Sequence, residues 1–279
     1  MSDNKPANPL LARLNRMPGE TIRLPSLGKF YTNGELTEDT VNGEIVLNPM
    51  TMTDEIMMKS PDMLFQGTAI ERVFQRCSPN IKKPLDLLTS DVDFILTHLR
   101  RISFGPFVEV PFTCSNPKCK HENEVRVPLE YFTNGSKEID VTDFDAKFSL
   151  TTPTDGHTVR LKPITFRDFL MMQQINADSL TDPNVLEEYV LDSFSSVIAA
   201  VGEVENTSEE QREFIKEWLN HIPRSDTELI TKAVAGLQDW GPTFKYNAKC
   251  SKCKHSNELT TELNPTAFFI PPSSPKTQN

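Results

Sequence analysis

Four of the five cysteines stand in two pairs of similar frame, Cys114-x4-Cys119 within CSNPKCKHENEV and Cys250-x2-Cys253 within CSKCKHSNEL. From the second cysteine on, both frames read Cys-Lys-His-x-Asn-Glu, with strand-forming residues on either side. Two thiolates closing a tight turn at the tip of a β-hairpin make a zinc knuckle. Two knuckles supply the four sulfurs of one tetrahedral zinc site. The expected metal ligands are therefore Cys114, Cys119, Cys250 and Cys253. A site closed by four thiolates keeps no position for water, so its role is structural and not catalytic. Three alternatives stand beside it: a pair of knuckles that has lost its metal, a disulfide within each pair, and a redox Cys-x-x-Cys. A reducing compartment disfavours disulfides, and a redox motif normally opens a helix, whereas a hairpin is expected here.

His121 and His255 sit two residues beyond the second cysteine of each pair, where they would exceed four ligands; they read as exposed knuckle residues. Lys118, Lys120, Lys249, Lys252 and Lys254 lie within two residues of a ligand. Four thiolates around Zn²⁺ leave a charge of −2, which nearby ammonium groups offset. The other reading of these lysines is a nucleic-acid patch, but no aromatic or arginine residues interleave with them. Cys77 falls on an apolar helical stripe and reads as a buried structural thiol.

Two distant cysteine pairs need a frame that brings them together, and the rest of the sequence predicts one. Residues 159–165, VRLKPIT, lie over 45–51, IVLNPMT, and each segment is followed by an aspartate (Asp54, Asp168) and a methionine pair (Met57-Met58, Met171-Met172). Gly105-Pro106 and Gly241-Pro242 stand at the same distance before Cys114 and Cys250. We read an internal duplication with extra residues in the helical part of the second copy. Helical spacing predicts helices capped by Thr53, over 68–77, and from an N-cap at Ser90 to Gly105; then over 165–178, 184–201 and 207–221, and from Ser225-Asp226 to Gly241. Asn33-Gly34 predicts a tight hairpin turn. The sequence thus predicts an α+β fold of two duplicated halves, each with short strands, a helical group and a zinc-knuckle β-hairpin, joined by a shared four-cysteine zinc site. The expected organisation is an N-terminal arm (1–20), a first half (21–135), a second half (136–265) and a C-terminal tail (266–279). Leu10, Leu11, Leu14 and Met17 give the arm an apolar stripe, and Phe268, Phe269 and Ile270 cluster in the tail; both are expected to order on partners.

Composition excludes several classes. The 279 residues are 37% hydrophobic and 24% charged, enough for a real core. The net charge of −10 opposes coating of nucleic acid or an anionic membrane. No apolar run approaches the roughly 20 residues of a spanning helix, and the N-terminus lacks the apolar core of a secretion signal, so an intracellular chain is expected. P-loop, G-x-S-x-G and G-x-G-x-x-G motifs are absent, and no catalytic or small-molecule substrate site is expected.

The series LPSLGKFY (24–31), Pro49-Met50-Thr51, Asp54-Glu55, Asp91-x-Asp93-Phe94 and Leu99-Arg100-Arg101, followed by Gly105 and the first knuckle, resembles the baseplate hub proteins of T-even-like contractile-tailed bacteriophages. The similarity runs loosely over residues 20–265, and its specificity lies in the order of its short motifs. It implies a non-enzymatic structural or assembly component of the central hub of the tail baseplate, with other hub and tail proteins as partners. Its place would be the virion or, during assembly, the host cytoplasm. The alternatives are a zinc-ribbon nucleic-acid-binding protein and an enzyme of unrecognised type.

Overall fold

The first elements among the described residues are an antiparallel pair, β1 (Glu20–Arg23) and β2 (Glu44–Leu47), with Ile22, Ile45 and Leu47 on the buried face. The computed structural model describes residues 19–142, 144–174, 181–237 and 240–260. The apolar clusters expected at Leu10–Met17 and Phe268–Ile270 lie outside these residues.

The β1–β2 connection is not the tight hairpin that Asn33-Gly34 predicts. Gly34 is left-handed (φ 74°) but Asn33 is not, so a type I′ turn does not form. Long-range bonds shape the loop instead. The Glu35 carboxylate accepts the Asn33 N–H at 2.8 Å, Lys83 Nζ donates to the Asn33 carbonyl, and Leu36 bridges to Ile81.

Helix α1 (Met52–Met58) starts one turn-residue pair earlier than predicted, with Thr51 and not Thr53 as its cap. The Thr51 N–H and hydroxyl donate to the buried Asp54 carboxylate at 2.8 and 2.6 Å, and Arg76 pairs with the same carboxylate at 2.9 Å. Then come α2 (Pro61–Phe65) and α3 (Thr68–Cys77), whose stripe Ile70, Val73, Phe74 and Cys77 is buried as the spacing predicts. Helix α4 (Thr89–Phe104) stops at Gly105, whose φ of 99° disfavours any residue with a side chain. This helix is the spine of the first core, with Val92, Phe94, Ile95, Leu96 and Leu99 buried.

At its start, Asp91 is fully buried and takes three bonds from the LPSLGKFY segment. The Ser26 N–H donates at 3.1 Å, the Ser26 hydroxyl at 2.5 Å and the Tyr31 hydroxyl at 2.5 Å. The Tyr31 oxygen in turn accepts the Leu88 N–H at 3.0 Å. Two of the motifs that carry the family resemblance therefore meet in one buried hydrogen-bond network.

Strands β3 (Phe107–Thr113) and β4 (Glu122–Pro128) form a hairpin, followed by α5 (Glu130–Asn134). The second part of the chain begins with α6 (Phe144–Lys147), β5 (Ser149–Thr151) and β6 (Thr158–Leu161), then α7 (Phe166–Gln173) capped by Thr165. Helix α8 (Pro183–Ser196) ends before the predicted limit of 201. Ile198–Val201 is instead strand β7, paired with β6 and, through a tight turn, with β8 (Val204–Glu205). Buried Ile198 and Val201 fill the second core from this strand, so sheet packing overrides the helical reading. The sheet order is β5-β6-β7-β8, antiparallel throughout.

Helices α9 (Glu209–His221, capped by Ser208) and α10 (Arg224–Gly236) follow. Helix α10 ends at Gly236, short of the predicted Gly241. Near its start Asp226 is fully buried and accepts from the Thr154 N–H (3.3 Å) and hydroxyl (3.2 Å) in the β5–β6 loop. The last described elements form the hairpin β9 (Lys245–Lys249) and β10 (Ser256–Thr260).

Two apolar cores result, one from residues 22–132 with Phe166, the other from residues 139–237. They exchange side chains. Phe244 and Tyr246 pack on the first core, and Leu27 and Phe30 on the second. Leu88 bridges to Thr165, and the Phe166 N–H donates to the Leu87 carbonyl at 2.8 Å.

Candidate metal centre

The tips of the β3–β4 and β9–β10 hairpins carry the four cysteines and face each other. Thr113 pairs with Glu122 and Lys249 with Ser256, so each pair of thiols sits just beyond the last ladder rung. The two turns are closed in the same way. Cys114 N–H donates to the His121 carbonyl and Cys250 N–H to the His255 carbonyl, both at 2.9 Å. The residue after the second cysteine is left-handed in both, Lys120 at φ 43° and Lys254 at φ 61°. A side-chain-bearing residue there costs about 1–2 kcal/mol, which the closed turn must offset.

All four sulfurs lie within 4.8 Å of one another. The closest approaches cross between hairpins: Cys114 Sγ to Cys253 Sγ is 3.6 Å, and Cys119 Sγ to Cys250 Sγ is 3.9 Å. A tetrahedron with metal–sulfur bonds of about 2.3 Å has sulfur–sulfur edges of roughly 3.8 Å. The cluster therefore fits one tetrahedral ion, and all four cysteines are free thiols with no disulfide among them. Four sulfur donors suit a thiophilic ion such as zinc or iron. Cys114 and Cys250 are buried, Cys119 is half-buried and Cys253 is exposed. The Cys253 N–H directed at the Cys250 sulfur pulls that thiol down to about 6 against the opposing effect of burial. Burial pushes Cys114 up to about 11.

A reciprocal pair of side-chain latches holds the hairpins together. Asn257 Oδ1 accepts from the Ser115 N–H (2.7 Å) and hydroxyl (2.9 Å). Asn123 Oδ1 accepts from the Ser251 N–H (2.9 Å) and hydroxyl (2.8 Å). Each serine follows the first cysteine of one knuckle, and each asparagine follows the second cysteine of the other. The amide groups finish the job inside their own turns, since Asn123 Nδ2 donates to the His121 carbonyl (2.8 Å) and Asn257 Nδ2 to the His255 carbonyl (2.9 Å). Sequence reasoning missed these four residues as a set. The signal was the shared Cys-Ser and Cys-Lys-His-x-Asn frames, whose serine and asparagine positions match as well as the cysteines do. Asn257→Ala removes the acceptor of two bonds at a buried position, so it is expected to lower stability by about 2–3 kcal/mol. A urea titration should show the midpoint fall with the slope unchanged.

A family model described as T4 bacteriophage base plate protein matches residues 17–270. The chain belongs to this family. No curated protein and no solved structure matches it. Membership makes the chain a phage base plate protein, with other base plate proteins as its implied partners. Among the described residues no helix is long and apolar enough to cross a membrane.

The remaining sequence expectations can be placed on this base plate protein. His121 and His255 are exposed and contribute their carbonyls, not their rings, to the knuckle turns. The five knuckle lysines are all exposed. Cys77 is buried in the first core, where loss of solvent pushes its thiol up to about 12 and makes it inert. Of the methionine pairs, Met57 and Met58 are core residues, whereas Met171 is exposed.

Proposed function

We propose that this base plate protein is a non-enzymatic structural or assembly component of the central hub, acting through protein–protein contacts, with one structural zinc ion held by Cys114, Cys119, Cys250 and Cys253. The carrying observation is the four-sulfur cluster formed between two hairpins, residues 107–128 and 245–260, that lie far apart in the sequence of a base plate family chain. Such an ion pins the two parts of the body to one another and gives partner subunits a fixed surface to read.

We further infer that the halves 21–135 and 136–265 descend from one ancestral unit. Several matched features support this. Thr51 and Thr165 cap equivalent helices, each with its hydroxyl donating at 2.6 Å to a buried aspartate, Asp54 or Asp168. Pro25-Ser26-x-Gly28 and Pro153-Thr154-x-Gly156 are loops with the same left-handed glycine (φ 72° in both), and each loop clamps a buried aspartate at the start of the helix before a knuckle. The extra residues of the second copy correspond to β7, β8 and α9. In the first half Arg76 of α3 neutralises Asp54; in the second, Arg212 of the additional α9 takes that place against Asp168.

Mass spectrometry of purified virions tests the reading. A permanent hub subunit is expected at a fixed low copy number alongside the tail proteins. A chaperone of hub assembly is expected in infected-cell extract and missing from the particle. Absence from both assemblies and hub precursors would overturn the proposal.

A further inference from the structure

A cleft of about 790 Å³ lies between the two halves, away from the cysteine cluster. Its floor is the outward face of the four-stranded sheet, where Thr158 and Arg160 alternate with the buried Val159 and Leu161. The first half contributes the 29–35 loop and Lys83, and the start of α9 closes the far side. One wall is apolar. Phe30, Phe144 and Phe148 pack on one another with ring centroids 4.6–5.3 Å apart and all face the cleft.

Most charges lining the cleft cancel in pairs, and two, Glu35 and Lys162, have no ion-pair partner among the described residues. Arg160 pairs with Glu205, Arg167 with Asp86 (2.6 Å) and Arg212 with Asp168 (3.3 Å), while Glu35 accepts the Asn33 N–H. Lys29, Lys83, Asp145 and Glu209 stand at the exposed margin. Glu35 keeps the Asn33 N–H as its donor, whereas Lys162 is the cation left over. Its side chain is half-buried, and among the described residues its ammonium has no hydrogen-bond acceptor and no carboxylate within ion-pair distance. Loss of solvent pulls its pKa down; Asp168, Asp86 and Glu35 oppose this through space and Arg212 adds to it. The backbone of Lys162 is fixed, its N–H bonded to the Val197 carbonyl at 2.8 Å. An ammonium with three donors, held in place in a cleft and left without an acceptor, is complementary to an incoming anion.

We propose that this cleft receives a carboxylate-bearing polypeptide segment of a partner protein, with Lys162 as the donor to its acidic side chain and the Phe30–Phe144–Phe148 wall as the seat of a neighbouring apolar side chain. A free inorganic anion satisfies the ammonium but makes no use of the aromatic wall, and the cleft is of the size that takes a short peptide or drug-sized ligand. The assignment rests on the reading of the chain as an assembly component acting through protein contacts.

The test uses the full chain with its lysines ¹³C-dimethylated, the Lys162 resonance being assigned from its absence in Lys162→Arg. Two blocked tripeptides, acetyl-Phe-Glu-Phe-amide and its Gln counterpart, are titrated, with inorganic phosphate as a third arm. The Glu peptide is expected to saturate at a Kd below about 1 mM, to shift the Lys162 resonance, and to bind at least about tenfold more tightly than the Gln peptide, as a hydrogen-bonded charge pair requires. Lys162→Met should abolish that preference. Equal affinity for the two peptides, a preference that survives Lys162→Met, an unmoved Lys162 resonance, or saturation by phosphate that the peptides do not displace would each overturn the assignment. If Lys162→Met fails to fold, the Lys162 resonance of the unsubstituted chain still decides. The readings separate cleanly: absence from virions and precursors removes the assembly role, whereas flat titrations of a chain present in virions remove the cleft alone.

Discussion

Stripping the metal from the cysteine cluster, or replacing Cys250 by serine, is expected to lower stability by several kcal/mol and to undock the two hairpins. Structural zinc modules draw about 10–16 kcal/mol of apparent free energy from the ion, because binding and folding are one event. The loss here should be smaller than that. Each half keeps its own apolar core, and the Ser115–Asn257 and Ser251–Asn123 latches hold part of the interface without any ion. The measurement is elemental analysis for one ion per chain, followed by thermal unfolding with and without chelator. A metal-free preparation that unfolds at the same temperature as the loaded chain would sink the structural role. Because Cys253 is exposed, chelators should reach the site without prior unfolding.

The second large effect is expected at Asp91. Asp91→Ala deletes the acceptor of three bonds in a fully buried network and leaves the Ser26 and Tyr31 hydroxyls without their partner. Removing one side of such a network costs about 3–5 kcal/mol. Asp91→Asn keeps one acceptor and sheds the buried charge, so it should cost less than half as much. The same burial carries a pH signature. Burial pushes the Asp91 carboxyl up to about 6, held back by the Ser26 and Tyr31 bonds, and pushes Asp93 up to about 7. A carboxyl whose folded pKa lies above its unfolded value of about 3.9 binds its proton more tightly when folded. The stability it contributes is complete below pH 4 and disappears as pH rises through 6–7. Urea midpoints of the wild-type chain should therefore fall between pH 5 and pH 8, and Asp93→Asn should flatten the decline. Burial pulls His98 down to about 4 and opposes part of this decline, so the comparison with the variant decides: a pH dependence that Asp93→Asn leaves unchanged would contradict the assignment.

Much of the candidate site was legible because its determinants are local. Cysteine spacing, the Asn-Glu that follows, and the Gly-Pro before each first cysteine are short-range patterns, and the four cysteines they single out do converge. Helix α3 was equally readable, since Ile70, Val73, Phe74 and Cys77 state one buried face without help from elsewhere. What sequence reasoning missed depends on distant partners. Asn33-Gly34 has the composition of a hairpin turn, but Ile81 and Lys83 bind the loop into another shape. Ile198–Val201 continues a helical pattern, yet β6 offers it an edge and the second core offers its side chains a home. The Asp91 network joins residues 26, 31 and 91, whose individual types are too common to reveal a clamp. Thr51 and Thr53 are equally good caps on paper; Arg76, reaching Asp54 from α3, favours the first.

The long separation of the two cysteine pairs fixes when the site can exist. Cys119 and Cys250 are 131 positions apart. A cross-link closing a loop of that size restricts the unfolded chain by roughly 5 kcal/mol on the chain-entropy scale used for disulfides, so the ion acts as much on the unfolded state as on the folded one. Synthesis runs from the N-terminus, and the β3–β4 hairpin is made long before its counterpart. Until β9 and β10 emerge, two thiols wait at the tip of a finished hairpin and can offer an ion only half of its coordination sphere. A chain cut short before Cys250 never captures the ion firmly. A bound ion would thus report that synthesis has passed Cys253 and that both hairpins have folded.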